Sequence, residues 1–253
     1  TIWLAHRLAD ALDSPKVAKK LPYLIPDGET QVGIEYSNGK PKRIHSITLV
    51  ATQIDDESPD LQQLRNDLIA EVIEPVLAKE QYKVDKKTAI FVNHGGIRVG
   101  GGPAVHSGLT GRKTGMDSYG EYSRHSGAAL SGKDPMRIDR VGAYAARYAA
   151  KNIVAAGLAN ECEVQLSYSI GHAHPVSVRV RTFGSGRIEN SELASRLNDV
   201  FDFRPGAIVR DLRLKTLSAE SGGFYQKMAV YGHLGRTDFD VTWEATDKVE
   251  KLK

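Results

Sequence analysis

The order of predicted elements constrains this chain most, because helix, strand pair and helix are written twice in succession. Ile2, Leu4, Ala5, Leu8, Ala9 and Leu12 recur at helical spacing and predict an opening amphipathic helix. Leu21 to Gly28 reads as a loop punctuated by proline. Gln31 to Gln53 reads as two strands, VGIEY and IHSITLVATQ, joined at Asn38-Gly39, a dipeptide suited to the positive φ angles of a tight hairpin turn. Ser58-Pro59 supplies an expected N-cap and first-turn proline for a helix whose buried face is Leu61, Leu64, Leu68, Val72 and Ile73. Thr88 to Val92 reads as a short buried strand.

The second half repeats the plan. Ile138 to Leu158 is an alanine-rich helix, Val164 to Ile170 and Val176 to Phe183 are paired strands, and Ser191 is the expected cap of a helix reaching Phe201. LAHRLADAL resembles YAARYAAKN, and TQVGIEY resembles CEVQLSY, as an internal duplication would leave them. The expected fold class is therefore α+β, with repeated αββα units forming mixed sheets and helices on one face. Beyond the repeat, Ile208, Val209 and Leu212 predict a short helix, Ser218 to Gly223 a loop, Phe224 to Tyr231 a strand, and Asp247 to Lys253 a fraying tail.

At 253 residues the chain is long enough for two domains, and 41% apolar with 26% charged residues is a globular composition. The net charge of +3 argues only weakly for nucleic acid or another polyanion. A single cysteine, Cys162, excludes an intrachain disulfide and suits a reducing cytoplasm, where it reads as a small apolar filler. No signal peptide or membrane-length apolar run is present, so a cytoplasmic protein without a membrane partner is expected.

Chemistry concentrates in Gly108 to Arg140, GLTGRKTGMDSYGEYSRHSGAALSGKDPMRIDR. Eleven of the 24 glycines fall between Gly95 and Gly132, beside Arg112, Lys113, Lys133 and Arg137. Glycine lets backbone amides approach a ligand closely, so the pairing of glycine turns with cations points to an anion. GAALSGKD is not a Walker A loop: Asp134 stands where a Mg²⁺-holding Ser or Thr is needed, and no strand run precedes Gly127. His94, His106, His172 and His174 invite a metal reading, but no spacing among them closes a site.

Taken in order, Gly108-Leu109-Thr110-Gly111-Arg112-Lys113, Ser131-Gly132-Lys133-Asp134-Pro135, Val141 to Ala150, Tyr168-Ser169-Ile170-Gly171 and Tyr231-Gly232-His233 closely resemble the C-terminal part of the S-adenosylmethionine synthetase family. Leu4 to Leu8 and Leu24-Ile25-Pro26-Asp27-Gly28 resemble its middle segment, so the resemblance covers nearly the whole chain. It implies a central domain over 1–98 and a C-terminal domain over 99–253, two of the family's three pseudo-symmetric domains. It also implies that methionine sulfur attacks C5′ of ATP, with tripolyphosphate leaving and later hydrolysed to phosphate and diphosphate. Such a displacement asks for in-line positioning and neutralisation of a highly charged leaving group, with Mg²⁺ and K⁺ as the expected cofactors.

On this resemblance Arg112, Lys113 and Lys133 occupy catalytic, phosphate-contacting positions, and Asp27 and Ala129 nucleotide-contacting ones. Arg137 stands where the family usually has a lysine near methionine, and Asp139 where it has a metal carboxylate. An ion pair from Asp139 to Arg137 or Arg140 at the helix start is the competing reading. Three departures touch ligand positions. Glu29 replaces a phosphate-side lysine, Val105-His106 replaces Gly-Asp at a nucleotide and methionine contact, and Ile97-Arg98 replaces Arg-Phe beside the base. Glu29 and His106 could form a swapped charge pair that preserves the pocket.

The family's His-Pro-Asp motif and gating segment do not occur here, and the chain starts at Thr1 directly in a helical pattern. The expectation is that the front part, or another chain, completes the site, within a homodimer or dimer of dimers whose active site lies between subunits. Two function classes follow: a transferase using ATP and L-methionine, and a noncatalytic nucleotide-binding or assembly subunit with a degenerate site.

Overall fold

The computed structural model describes residues 1–55, 59–238 and 240–253. Packing divides them into two compact units, Thr1–Leu109 and Thr110–Lys253.

The first unit opens with α1 (Ile2–Leu12), which buries Leu4, Ala5 and Leu8, and α2 (Pro15–Lys20), whose Ser14 cap accepts from the Val17 amide at 3.3 Å. Strands β1 (Leu24–Ser37) and β2 (Lys40–Gln53) form an antiparallel hairpin. Asn38 and Gly39 close it with φ of 50° and 74°, the handedness that matches the twist of the flanking strands. A register shift leaves His45 outside the pairing, which brings Ile44 and Ile47 to the same buried face despite their odd spacing.

Next come α3 (Leu61–Leu68), a wide π-type turn over Ile69–Ile73 and α4 (Glu74–Leu77). The wide turn carries the chain into Pro75, whose ring would strike the carbonyl four residues back in a continuous α-helix. Strand β3 (Ala89–Val92) pairs parallel to β2 and completes a mixed sheet of order β1-β2-β3. Leu8, Ile44, Ile47, Leu49, Leu64, Leu68 and Val72 form the fully buried centre.

The second unit contains α5 (Thr114–Asp117) and α6 (Ile138–Ala155), followed by the antiparallel pair β4 (Glu163–Ser167) and β5 (Ser177–Arg181). Then come α7 (Asn190–Val200), α8 (Pro205–Asp211), α9 (Leu217–Ser221), α10 (Phe224–Met228), a 3₁₀ turn over Thr242–Glu244 and α11 (Val249–Leu252). The predicted succession of helix, hairpin and helix is present twice, as α1, β1-β2, α3 and as α6, β4-β5, α7. Tyr144 of α6 stacks on Trp243 with centroids 3.6 Å apart, and Phe224 meets the same indole edge-on at 6.0 Å.

Several expectations are corrected. The loop expected over Leu21 to Gly28 becomes strand from Leu24, because Pro26 lies in the register break between Ile25 and Gly28, where no ladder N–H is required. The strand expected to be buried over Thr88 to Val92 is an edge, leaving Ile90 and Phe91 over one third exposed. The expected cap Ser58 lies outside the described residues; Asp60 caps α3, accepting from the Gln63 amide at 2.9 Å. Ser191 lies inside α7, while Asn190 at its start accepts from the Thr182 amide and hydroxyl.

Pairing in the second hairpin covers only Glu163–Ser167 and Ser177–Arg181. The loop expected over 218–223 is largely α9, and the strand expected over 224–231 is α10. There the spacing of four between Phe224 and Met228 lets both enter the core, which outweighs the apparent alternation. The tail is anchored rather than frayed. Leu252 is fully buried, and Arg196 donates to its carbonyl at 2.7 Å.

Candidate functional site

Two glycine turns of the second unit are held against each other. Gly111 has φ of +76°, and a Cβ placed there would lie 3.2 Å from the Ser131 carbonyl oxygen, so both backbone shape and space require glycine. The Lys133 ammonium donates back to the Gly111 carbonyl at 3.2 Å. Arg112 and Lys113 follow Gly111 directly and are exposed. The two turns therefore bring the cationic segments 111–113 and 131–133 together, and Lys133 is half-buried while its neighbours face solvent.

The second turn is fixed from below. The Asp117 carboxylate, 2% exposed, accepts from the Leu130 amide at 2.8 Å, the Ser131 amide at 2.7 Å and the Ser131 hydroxyl at 3.0 Å. Ser131 Oγ lies 2.6 Å from His233 Nε2, and His233 Nδ1 lies 2.7 Å from the Tyr144 hydroxyl. Arg140 donates from Nε to that hydroxyl at 2.9 Å and from a terminal nitrogen to the Lys133 carbonyl at 2.6 Å. Burial, assisted by the charges of Arg140 and Arg236 and opposed by Asp117, pulls the His233 imidazole down to about 4. It is neutral near pH 7.

Ala129 is buried immediately before this turn. Arg137 precedes α6 and pairs with Asp139 at 3.2 Å, so the competing ion-pair reading of Asp139 describes the observed contact. Among the described residues no group of three or more His, Cys, Asp and Glu side chains is placed to hold a metal ion. Asp139 is thus a single carboxylate already engaged by a cation. These residues do not by themselves fit a complete Mg²⁺ site.

The other predicted positions lie in the first unit. Asp27 Oδ2 accepts from the Gly102 amide at 2.9 Å and fixes the glycine-rich segment after β3. Glu29 pairs with Arg98 at 3.2 Å, both well exposed, rather than with His106 as expected. Two of the three departures from the family pattern thus compensate each other, and His106 is exposed on its own turn.

The residues missed in the sequence are the buried ones. Asp117 looks ordinary in the sequence, while Ser131, Tyr144 and His233 lie inside the quoted motifs with nothing there to show that they join one network. A second, half-buried cluster lies in the same unit. Glu244 accepts from Arg147 at 2.9 Å, pairs with Lys151 at 2.9 Å and accepts from the Gly235 amide at 2.8 Å. Burial alone would raise its carboxyl, but these partners outweigh it and hold it below the usual range. Cys162 is pushed up to about 12 by burial and behaves as the expected inert filler.

Comparison with known proteins is consistent across the chain. The family profile described as S-adenosylmethionine synthetase, central domain, matches residues 1–97, and that of the C-terminal domain matches residues 100–245. An S-adenosylmethionine synthase of Trichormus variabilis is 49% identical over 260 residues, covering 100% of this chain and 62% of the relative. One from Rippkaea orientalis is 48% identical, with 100% and 61% covered. This chain therefore spans about three fifths of the length of these curated relatives. A solved structure described as an unusual S-adenosylmethionine synthetase from Campylobacter jejuni superposes with a TM-score of 0.87 at 36% identity, over 99% of this chain and 65% of that one. On two profiles that together run nearly end to end, the chain belongs to the S-adenosylmethionine synthetase family.

Proposed function

We propose that this chain supplies the triphosphate-holding part of an enzyme that forms S-adenosylmethionine from ATP and L-methionine. The observation that carries the reading is the seating of Lys133 on the Gly111 carbonyl, which sets three cations on two apposed glycine turns. In this reading methionine sulfur forms a bond to C5′ as the C5′–O bond to the triphosphate breaks. The electron pair leaves with tripolyphosphate, which is afterwards hydrolysed to phosphate and diphosphate. No proton need move in the first step, so the protein's task is to fix geometry and to stabilise charge gathering on the leaving group.

Arg112, Lys113 and Lys133 take the phosphate oxygens, Asp27 and Ala129 contact the nucleotide, and Arg137 meets the methionine carboxylate. Glu29, with its charge answered by Arg98, and His106 shape the nucleotide end, His106 also facing methionine. Asp139 would contribute one oxygen ligand to Mg²⁺, with the remaining ligands supplied from elsewhere, and K⁺ is the expected monovalent activator. A homodimer or dimer of dimers in the cytoplasm completes the proposed assembly. Among the described residues no helix is long and apolar enough to cross a membrane.

The test is calorimetric titration of ATP and of tripolyphosphate into the chain, alongside a product assay with ATP, methionine, Mg²⁺ and K⁺. The reading requires tripolyphosphate binding that Lys133→Met weakens on the order of 10²-fold. Binding unchanged in that variant would refute it. The Glu29–Arg98 pair favours one second reading, a nucleotide-binding subunit with an altered site, whose signature is nucleotide binding without product even beside a catalytically complete relative.

A further inference from the structure

With His233 neutral, one assignment of hydrogens fills every buried link under the Lys133 turn. Arginine Nε can only donate, so the Tyr144 hydroxyl accepts from Arg140, which leaves its own hydrogen for the Nδ1 of a neutral His233. Nδ1 is then the unprotonated nitrogen, and Nε2–H donates to Ser131 Oγ. The serine hydrogen goes to the Asp117 carboxylate, which can only accept. Every hydrogen points the same way, from a buried cation to a buried anion. Chains of this kind polarise each link and strengthen it in a low-dielectric interior.

Both ends of this chain grip one turn. Asp117 holds the amides of Leu130 and Ser131, and Arg140 holds the carbonyl of Lys133. Asp117 also ends the short helix that follows Arg112 and Lys113, and its own carbonyl accepts from the His233 amide at 2.8 Å. The two cationic segments thus hang on one frame. The Arg140 guanidinium also lies against the Tyr225 ring, 4.5 Å from its centroid.

We propose that Arg140, Tyr144, His233, Ser131 and Asp117 form a one-directional hydrogen-bond relay that clamps the Leu130–Lys133 turn at both ends, making them positioning residues for the Lys133 cation. What the cation is positioned for rests on the function proposed above; the relay itself does not. An imidazolium at His233 would convert Nδ1 from acceptor to donor and reverse the link to Tyr144.

Nitrogen NMR of the labelled full chain tests the relay without any ligand. The expected result is a neutral His233 carrying its hydrogen on Nε2. Tyr144→Phe should speed amide exchange at Leu130 and Ser131 at least tenfold and weaken tripolyphosphate binding about tenfold. Leu197→Val, an apolar change in the same core, should lower the melting temperature and alter neither. If Tyr144→Phe does not fold, Ser131→Ala should produce the same local changes and Ser131→Thr should restore them. An Nδ1–H tautomer, a charged imidazole, or unchanged exchange in both Tyr144→Phe and Ser131→Ala overturns the relay. If the wild-type chain does not bind tripolyphosphate, the proposed function falls while tautomer and exchange still decide the relay.

Discussion

The two units of this chain solve the problem of burial differently. In Thr1–Leu109 charged groups stay at the surface, where Arg43 pairs with Asp85 at 2.6 Å and Glu35 at 3.2 Å, and the core beneath is aliphatic. In Thr110–Lys253 an arginine, an aspartate and a histidine lie within the core beside Tyr144 and Trp243. An aliphatic core tolerates small changes of shape, whereas a buried polar chain is costly unless every member is satisfied. The second design fixes one loop tightly, and that loop carries the cations.

The largest effect expected to break this contrast comes from Trp243→Ala. Its ring stacks on Tyr144 and its Nε1 donates to the His233 carbonyl at 2.9 Å, so the change removes core volume and a relay support together. A loss of about 3–5 kcal/mol in the second unit is expected, read as a calorimetric transition that separates from that of the first unit.

Acid should distinguish the units next. His233 titrates at about 4 when folded against 6.5 when free, so the unfolded chain binds the extra proton between those values. Stability of the second unit is therefore complete above about 6.5 and falls as pH drops towards 4, by on the order of 3 kcal/mol. The charges of Asp117, Arg140 and Arg236 act on the ring, and the Tyr144 hydroxyl contacts it. In the first unit the relevant groups are Asp85 and Glu35, both held below the ordinary carboxylate range chiefly by hydrogen bonds, to Arg43 and to Lys42 respectively. Their contribution is present at neutral pH and is lost only as pH falls through that lower range. Exchange measured at pH 5 should find the second unit weakened first; simultaneous weakening would erase the contrast.

A smaller effect sharpens it from the other side. Asn93 is one buried polar side chain of the first unit, at φ of 42°, and it mimics a neighbouring strand by accepting from the Ala51 amide at 2.9 Å and donating to its carbonyl at 2.8 Å. Asn93→Asp loses the donor and leaves that carbonyl unmet, at a cost of about 1–3 kcal/mol by denaturant titration. Asp85→Asn should have the least effect, because an exposed ion pair is screened, and the difference from wild type should vanish in high salt.

Legibility in the sequence follows the same divide. The hairpin over Gln31 to Gln53 and the helix with Leu64, Leu68 and Val72 could be read because one apolar face repeats at a fixed period. Phe224 to Tyr231 could not, since a few alternating apolar residues fit both periods and the core around Trp243 decides between them. Lys133 and Arg112 stood out by composition. Asp117 did not, and the link from Ser131 to His233 could not be read from the motifs that hold them, because a hydrogen bond between residues over one hundred positions apart leaves no local pattern. A charge partner for Glu29 is legible as compensation, but that the partner is Arg98 and not His106 depends on which strand and loop meet in the fold.

Hydrogen exchange of the 253-residue chain with and without tripolyphosphate tests the central claim most directly. Protection is predicted at residues 111–113 and 130–133, and should disappear in Lys133→Met. Protection confined to other segments, such as the cationic surface around Arg43, would show that anions are held by surface charge rather than by the clamped turn.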